Sequence, residues 1–213
     1  MRLGSTIADV ACGSGFGTRQ LRTSGVDRVY GIDIAVSGLA EAAGSYAGSG
    51  TCFLGGDALA LPLRSSSLDS VVSFETLEHL SNDGGFIAEV HRVLRCGGLF
   101  VCSTPNRAVM NPGRGLHDGS FNPHHIREYR RQEFRSLLAE KFRRPALFGQ
   151  TIFPRRYVAL LTLMSRLSWP LAARAHQAFK LLRSPFVGTS RHKPRPLQDG
   201  MRPEVLLAVS TKE

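Results

Sequence analysis

Six side chains that could move a proton at neutral pH lie in two short segments. They are Glu75, Glu78 and His79 in SFETLEHL, and His124, His125 and Glu128 in NPHHIREY. An imidazole titrates near neutral pH, so each histidine is a candidate general base. Glu128 could orient His125 through its other ring nitrogen. His125 and His79 also have a structural interpretation, in which His125 ties its loop to the sheet and His79 anchors a turn.

The same residue types can bind metal ions. The side chains of Glu75, His79 and His125 are of types that could bind Mg²⁺, but their spacing does not specify a metal site. The cysteines have no paired C-x-x-C spacing, which argues against a zinc site or a disulfide framework. The four are Cys12, Cys52, Cys96 and Cys102. Three of them lie in apolar, strand-like contexts, which favours a reducing compartment.

A glycine-rich turn lies close to the start of the sequence, in IADVACGSGFGTRQL. Its glycines are Gly13, Gly15 and Gly17, which gives the spacing G-x-G-x-G. A dinucleotide-binding turn needs G-x-G-x-x-G, and position 18 is Thr18 instead. Glycines let the chain adopt positive φ and bring backbone N–H groups close to a ligand. The turn therefore indicates an adenosine-containing ligand other than a dinucleotide.

Apolar runs alternate with amphipathic stretches along most of the chain. Seven runs are predicted as strands: TIADVA, RVYGIDI, TCFLGGD, SLDSVVSFE, GLFVCSTPN, PALFGQT and EVLLAVST. Helices are predicted between them, such as one through GGFIAEVHRVLRCGG, whose apolar residues recur at helical spacing. Strands and helices alternating at these lengths predict a doubly wound α/β sheet, with the glycine turn following its first strand.

The order and spacing of these segments resemble class I S-adenosylmethionine-dependent methyltransferases of the type 11-like family. Asp9 and the glycine turn match motif I, D/E-x-G-x-G-x-G, with Ala11 where the first glycine is commonest. VLRCGGLFVCSTPN is similar to the family's VLRPGGLLVVSTPN, and NPHHIREY to the NPFHVREY of a subgroup often found beside glycan and natural-product genes. The resemblance implies a Rossmann-like, seven-stranded sheet, mostly parallel with an antiparallel last strand.

The resemblance also implies S-adenosylmethionine as the cofactor and methyl donor. The implied donor-binding residues are Asp9, Ala11, Gly13, Ser14, Gly15, Gly17, Asp33, Ile34, Asp57, Ala58 and Glu75. Asp33 is expected to accept hydrogen bonds from both ribose hydroxyls, since a carboxylate can receive two donors. Asp57 is expected to contact the adenine amino group, beside the backbone N–H of Ala58. The alternatives are a helix cap for Asp33 and an Asx turn for Asp57.

The predicted function is O-methylation of a hydroxyl on a sugar, a glycan precursor or a secondary metabolite. The sulfonium donor is already an activated electrophile, so the enzyme mainly aligns the reacting atoms, while a base takes the hydroxyl proton. His125 matches the family's histidine in H-x-R-E-Y and is the predicted base, oriented by Glu128; His79 is a second catalytic candidate. The fourth strand ends without a [DN]-P-P-[YF] motif or a Pro-Cys pair, which argues against two nucleobase mechanisms. A non-catalytic methyltransferase-like binding module and an RNA methyltransferase remain as alternatives.

The net charge of +10 comes from the C-terminal part of the chain. Residues 127–202 hold seventeen Lys/Arg against four Asp/Glu, and such a region attracts phosphates. A small-molecule or glycan acceptor that is phosphorylated or lipid-linked would suit it. Few aromatic residues interleave with the basic ones, so nucleic acid is disfavoured as a partner.

One methyltransferase domain is predicted over residues 1–213, with a basic helical insertion at 151–202 before the last strand. Two helices are predicted in this insertion, broken at Pro170. The insertion is interpreted as a lid over the site, as an amphipathic hairpin that lies on a membrane surface, or as an RNA-binding element. No secretory signal is recognised, so the predicted location is cytoplasmic, with peripheral membrane contact as an option.

Overall fold

The computed structural model describes residues 5–116, 118, 120, 122–153, 158–160, 162–164, 193–198 and 201–213. Its strands are β1 (Thr6–Val10), β2 (Arg28–Asp33), β3 (Thr51–Gly55), β4 (Leu68–Phe74), β5 (Leu94–Pro105), β6 (Arg143–Ile152), β7 (Arg195–Pro196) and β8 (Pro203–Thr211). Its helices are α1 (Phe16–Thr23), α2 (Val36–Tyr46), α3 (Asp83–Val93), α4 (Arg107–Met110) and α5 (Arg131–Ala139), with a 3₁₀ turn at Leu77–His79.

All eight strands form one sheet in the order β3-β2-β1-β4-β5-β8-β6-β7. The first five strands of this order are mutually parallel, whereas β8 runs antiparallel to both β5 and β6. Because β1 lies between β2 and β4, the strand order reverses there, and open α/β sheets bind ligands outside the carboxyl ends at such a point.

Apolar side chains from the strands and helices fill the core. In β1, Ile7 and Ala8 are both fully buried although they point to opposite faces, as expected for a parallel strand covered on both sides. Phe100 of β5 packs against Phe86 of α3 and against Phe142, with ring centroids 6.0 Å and 5.6 Å apart. This packing fixes α3 and the chain after α5 against the sheet, beside the middle of β4, where Phe100 pairs with Val71.

The predicted Rossmann-like fold, mostly parallel with an antiparallel last strand, is confirmed, but the predicted number of seven strands is wrong. The additional strand in the described part of the chain is β7, whose two residues pair with Phe148 and Gly149 of β6. Two residues carry no periodicity, so this strand has no sequence signal. Helix α3 ends at Val93, earlier than predicted, because Leu94 already pairs with Leu68 of β4. Most of the two helices predicted around Pro170 lies outside the described residues; residues 158–160 and 162–164 of the first one are described and are helical.

Candidate active site

A pocket of about 330 Å³ opens at the carboxyl ends of the first four strands. The residues that line it end or follow these strands. They are Val10, Ala11, Ile32, Asp33, Ile34, Gly56, Asp57, Ala58, Glu75, Thr76, His79 and Leu80. Apolar walls with a few polar groups are typical of sites for small organic ligands, and the volume lies at the lower end of their usual range.

The glycine turn between β1 and α1 borders this pocket. Gly15 has φ of 80°, and a Cβ atom on it would lie 2.8 Å from the Ala42 Cβ and 2.9 Å from the Phe53 ring. Gly15 is therefore required both for its backbone conformation and for the space that it leaves. Ala11 has φ of 61°, which explains why glycine suits this position of the motif better than alanine does.

Asp33 connects the glycine turn to the start of α2. Its Oδ2 accepts a hydrogen bond from the Gly13 N–H at 2.8 Å, and its Oδ1 accepts one from the Ala35 N–H at 2.8 Å. Ala35 is the N-cap residue of α2, which begins at Val36, and no described side chain caps this helix. The contact between Asp33 and Ala35 is therefore an Asx turn directly before the helix and not the alternative helix cap, and the same carboxylate also lines the pocket.

Asp57 follows β3 and forms the Asx turn that was its alternative interpretation. Its Oδ1 accepts a hydrogen bond from the Leu59 N–H at 2.9 Å, and its carbonyl accepts one from the Ala60 N–H at 3.0 Å. Asp57 and Ala58 nevertheless both line the pocket. The Asp57 carboxylate remains available to a ligand, since a carboxylate oxygen has more than one acceptor site.

Asp9 lies behind the glycine turn and is not among the residues that line the pocket. The residue is 6% exposed, and its Oδ2 accepts a hydrogen bond from the Thr18 hydroxyl at 2.7 Å. Burial raises the pKa of the Asp9 carboxyl to about 6; the hydrogen bond from Thr18 opposes this rise and the charge of Asp33 adds to it. Asp9 therefore supports the turn from within the fold, beneath Gly17.

Glu75 follows β4 in a left-handed conformation, with φ of 52°. Its backbone N–H donates to the Ser103 carbonyl at 3.2 Å, and its Oε1 accepts from the Ser103 hydroxyl at 2.6 Å. The residue is exposed on one side, yet the surrounding protein desolvates its carboxyl and raises the pKa, against the effects of Ser103 and His125. A non-glycine residue with positive φ is uncommon, and such residues concentrate at functional sites.

Glu78 and His79 belong to the 3₁₀ turn that follows. Glu78 is fully buried, its Oε2 accepts from the Thr104 hydroxyl at 3.0 Å, and burial together with the charge of Glu75 raises the pKa of its carboxyl to about 8. His79 is exposed and lines the pocket. Its Nδ1 lies 2.9 Å from the His124 carbonyl, which can accept only, so Nδ1 carries the hydrogen.

His125 and Glu128 form a hydrogen-bonded pair beside His79. The His125 Nδ1 lies 2.8 Å from the Glu128 Oε1, and the His125 Nε2 lies 2.8 Å from the Asn122 amide nitrogen. The amide can only donate there, so Nε2 is an acceptor and Nδ1 is the protonated nitrogen. Glu128 is buried and also accepts from the Ser120 hydroxyl at 2.5 Å and from the Asn111 side-chain amide.

The loop that carries His125 is attached to the 3₁₀ turn and to α3. The backbone N–H groups of Ile126 and Arg127 donate to the Glu78 carbonyl at 2.8 and 3.2 Å. The Asp83 Oδ2 accepts from Arg127 at 2.6 Å and from the Tyr129 hydroxyl at 2.7 Å. These contacts bring the rings of His79 and His125 into an edge-to-face arrangement with centroids 5.0 Å apart.

The structure brings half of the predicted site residues to the pocket wall. These are Ala11, Asp33, Ile34, Asp57, Ala58, Glu75 and His79. The turn residues Gly13, Ser14, Gly15 and Gly17, together with Asp9, His125 and Glu128, do not line it.

Sequence reasoning missed two groups of residues around the site. Val10, Ile32, Gly56, Thr76 and Leu80 line the pocket and adjoin predicted residues, so the ends of the predicted strands were a usable signal. Asn111, Ser120 and Asn122 hold Glu128 and His125 through side-chain contacts within an irregular loop, for which the sequence gives no comparable signal.

Comparisons with known proteins agree with this geometry. A family model described as a methyltransferase domain matches residues 8–102. The chain is 37% identical over 135 residues to a probable S-adenosylmethionine-dependent methyltransferase of Mycolicibacterium smegmatis, over 63% of this chain and 50% of that protein. It is 35% identical over 98 residues to the phthiotriol/phenolphthiotriol dimycocerosates methyltransferase of Mycobacterium tuberculosis, over 46% of this chain and 36% of that protein.

Among solved structures, a methyltransferase of Thermotoga maritima has the same fold. That protein is described as a possible histamine N-methyltransferase, and the TM-score is 0.67 at 15% identity, over 100% of this chain and 84% of that one. The chain spans half or less of the length of these two curated relatives. None of the helices in the described part of the chain has the length and apolar character needed to cross a membrane.

Proposed function

Because the chain belongs to the class I S-adenosylmethionine-dependent methyltransferase family, we propose that it transfers the donor's methyl group to a hydroxyl of a sugar, a glycan precursor or a secondary metabolite. One observation carries the proposal. The pocket at the strand ends contains three carboxylates on the predicted donor side and the ring of His79, and His125, which is paired with Glu128, lies against that ring.

We assign the pocket to the adenosyl part of the donor. Each Asp33 oxygen accepts one backbone N–H, which leaves acceptor sites for the two ribose hydroxyls. Asp57 and the Ala58 N–H are assigned to the adenine ring. Ile34 is 73% exposed and lines the pocket, so an adenine ring stacked on it would remove apolar surface from water.

We assign proton removal to the pair formed by His125 and Glu128. The Glu128 carboxylate holds the His125 Nδ1–H, so the Nε2 has a lone pair directed away from Glu128. A hydroxyl at the place of the Asn122 amide would donate its proton to that nitrogen. The hydroxyl oxygen then bonds to the methyl carbon, the carbon–sulfur bond breaks, and its electron pair stays on sulfur. A neutral amine acceptor would not need a base of this kind, which favours a hydroxyl.

The acceptor is proposed to be a small molecule or glycan that is phosphorylated or lipid-linked. The basic charge of residues 127–202 supports this class, and so does the name of the dimycocerosates relative. The insertion at 151–202 lies largely outside the described residues, and its interpretation as a lid or a membrane-surface hairpin within one domain is part of this proposal. Peripheral contact of a cytoplasmic protein with a membrane would follow from the hairpin.

The experiment compares His125→Ala with His124→Ala, whose ring is on an exposed neighbouring residue. Radiolabelled methyl transfer is screened over glycans, lipid-linked sugars and phenolics, and donor affinity is measured by calorimetry. His125→Ala should lower turnover by roughly 10²- to 10⁴-fold with donor affinity retained, because a general base contributes about that much. His124→Ala should behave like the wild type. Equal turnover in the two variants would refute the assignment of His125.

A further inference from the structure

Three potential metal ligands converge beside the pocket. A carboxylate oxygen of Glu78 and one ring nitrogen each of His79 and His125 all lie within 4.8 Å of one another. Two of these residues are adjacent in the 3₁₀ turn, and the third comes from a loop more than forty residues later. The hydrogen bonds from the Ile126 and Arg127 backbone to the Glu78 carbonyl hold the two segments together. The cluster is thus built by the tertiary fold.

The buried carboxylate of Glu78 is only partly hydrogen-bonded. It is fully buried, its Oε2 accepts from Thr104, and within the described part of the chain its Oε1 is buried without a hydrogen-bond partner. A buried polar atom without a partner is costly, because it loses its water and gains nothing in return. A cation at this point would supply the missing interaction.

The two histidines are oriented as metal ligands usually are. His79 donates its Nδ1–H to the His124 carbonyl, and His125 donates its Nδ1–H to the Glu128 carboxylate. Ligating histidines characteristically donate the second ring N–H to a carbonyl or carboxylate, which fixes the tautomer and makes the ligand more basic. Both rings are thereby left with Nε2 as the nitrogen that can bind a cation.

We propose that Glu78, His79 and His125 bind one divalent first-row transition-metal ion, such as Zn²⁺, Co²⁺, Mn²⁺ or Fe²⁺. Two imidazoles and one carboxylate are a ligand set for catalytic zinc and for non-haem iron, whereas Mg²⁺ and Ca²⁺ favour sites made of oxygen. Binding replaces the hydrogen bond between Asn122 and the His125 Nε2. Since His79 lines the pocket, the coordination positions of the ion that no protein side chain occupies are close to the pocket.

The ion site also bears on the proposed methyl transfer, and this part of the inference rests on that function. A metal ion lowers the pKa of a hydroxyl bound to it. With an ion on the His125 Nε2, that nitrogen no longer accepts the hydroxyl proton, so the loaded and metal-free proteins would activate the acceptor differently. Metal binding itself does not depend on turnover.

The test therefore measures binding without turnover. Chelator-treated protein is titrated with Co²⁺, followed by its visible absorption bands, and with Zn²⁺, followed by calorimetry and thermal unfolding. We expect one ion per chain and a higher Tm with Zn²⁺. Glu78→Gln and His79→Ala should each weaken binding by more than the roughly ten- to hundredfold loss typical of outer-shell changes, which is the loss expected for Glu128→Gln. His124→Ala is the matched control and should bind as the wild type does.

Absence of Co²⁺ bands and of Zn²⁺ heat in the wild type would overturn the proposal. So would equal affinity in the wild type and in His79→Ala, which changes an exposed residue and should fold even where Glu78→Gln does not. Donor binding and methyl transfer are measured on the same preparations. Methyl transfer without metal binding would overturn this inference alone, whereas metal binding with no donor heat would overturn the proposed function alone.

Discussion

Gly15 provides the sharpest test of the glycine turn. A methyl group at this position would meet the Ala42 Cβ at 2.8 Å and the Phe53 ring at 2.9 Å, with the backbone at φ of 80°. The Ala42 Cβ belongs to the rigid helix α2, so the neighbour cannot move out of the way cheaply. Gly25 is a matched control, because its φ is 89° and no heavy atom of the described residues lies within 4 Å of an added Cβ.

The difference between the two substitutions isolates the cost of crowding. Alanine in the left-handed region costs about 1–2 kcal/mol, of which about 0.4–1 kcal/mol is offset by the stiffer unfolded chain. Gly25→Ala should therefore lower the free energy of unfolding by about 1 kcal/mol. Overpacking adds about 1–3 kcal/mol, so Gly15→Ala should lose about 2–4 kcal/mol.

Urea unfolding of the two variants measures these losses, and calorimetry with S-adenosylmethionine gives a second readout. The Gly15 N–H donates to the Cys12 carbonyl at 3.0 Å, and the neighbouring Gly13 N–H donates to the Asp33 carboxylate. Distortion at Gly15 therefore reaches the proposed ribose site. Gly15→Ala should weaken donor binding, and Gly25→Ala should leave it unchanged. Equal stability losses, or full donor affinity in Gly15→Ala, would refute the reasoning.

Three further predictions test the surroundings of the pocket. Ala11→Gly should raise the free energy of unfolding by about 0.5–1 kcal/mol by relieving positive φ, whereas Ala43→Gly in α2 should lower it by about 1 kcal/mol. The folded pKa of Asp9 is raised to about 6, so the folded protein favours the protonated carboxyl. The stability that this protonation contributes is complete below the unfolded pKa and is lost as pH rises through 6. Asp9→Asn should therefore be the more stable form at pH 7.5, by up to about 3 kcal/mol, and lose this advantage near pH 4, as urea unfolding at both pH values would show. Asp83→Ala and Tyr129→Phe should be coupled by about 1 kcal/mol in a double-mutant cycle, since each loses the same hydrogen bond; additive effects would contradict that contact.

The part of the pocket wall that contains Asp33 and Asp57 was predictable because it depends on local rules. Asp33 and Asp57 each follow a short apolar run, and the carboxyl ends of parallel strands meet at one edge of a sheet. A residue that the sequence predicts at the carboxyl end of such a strand is therefore also predicted to lie near the pocket. Asp9 shows the limit of this rule, since it lies one residue before the end of β1, next to the glycine turn, but its side chain faces Thr18 inside the fold.

The other side of the site depends on contacts between distant segments. The sequence identified Glu78, His79 and His125 as chemically capable residues, but their spacing did not predict a metal site. The cluster forms because the loop of His125 is hydrogen-bonded to the Glu78 carbonyl. Among the described residues the Glu78 Oε1 has no hydrogen-bond partner, and this likewise results from packing in three dimensions, which no period in the sequence records.

The strand count failed for a related reason. β7 has two residues and is held by pairing with β6, so its existence is decided by the neighbouring strand. Longer strands such as β8 have enough apolar residues to be recognised alone. The number of residues in a strand thus decides whether the sequence alone predicts it.

The most direct measurement for the whole account is a calorimetric titration of the purified protein with S-adenosylmethionine. The wild type should bind one donor per chain, and Asp33→Asn should bind it roughly ten- to hundredfold more weakly, because hydrogen bonds to a charged group contribute about 1.5–3 kcal/mol. No heat with the wild type, or the same affinity in Asp33→Asn, would contradict the assignment of this pocket to the methyl donor.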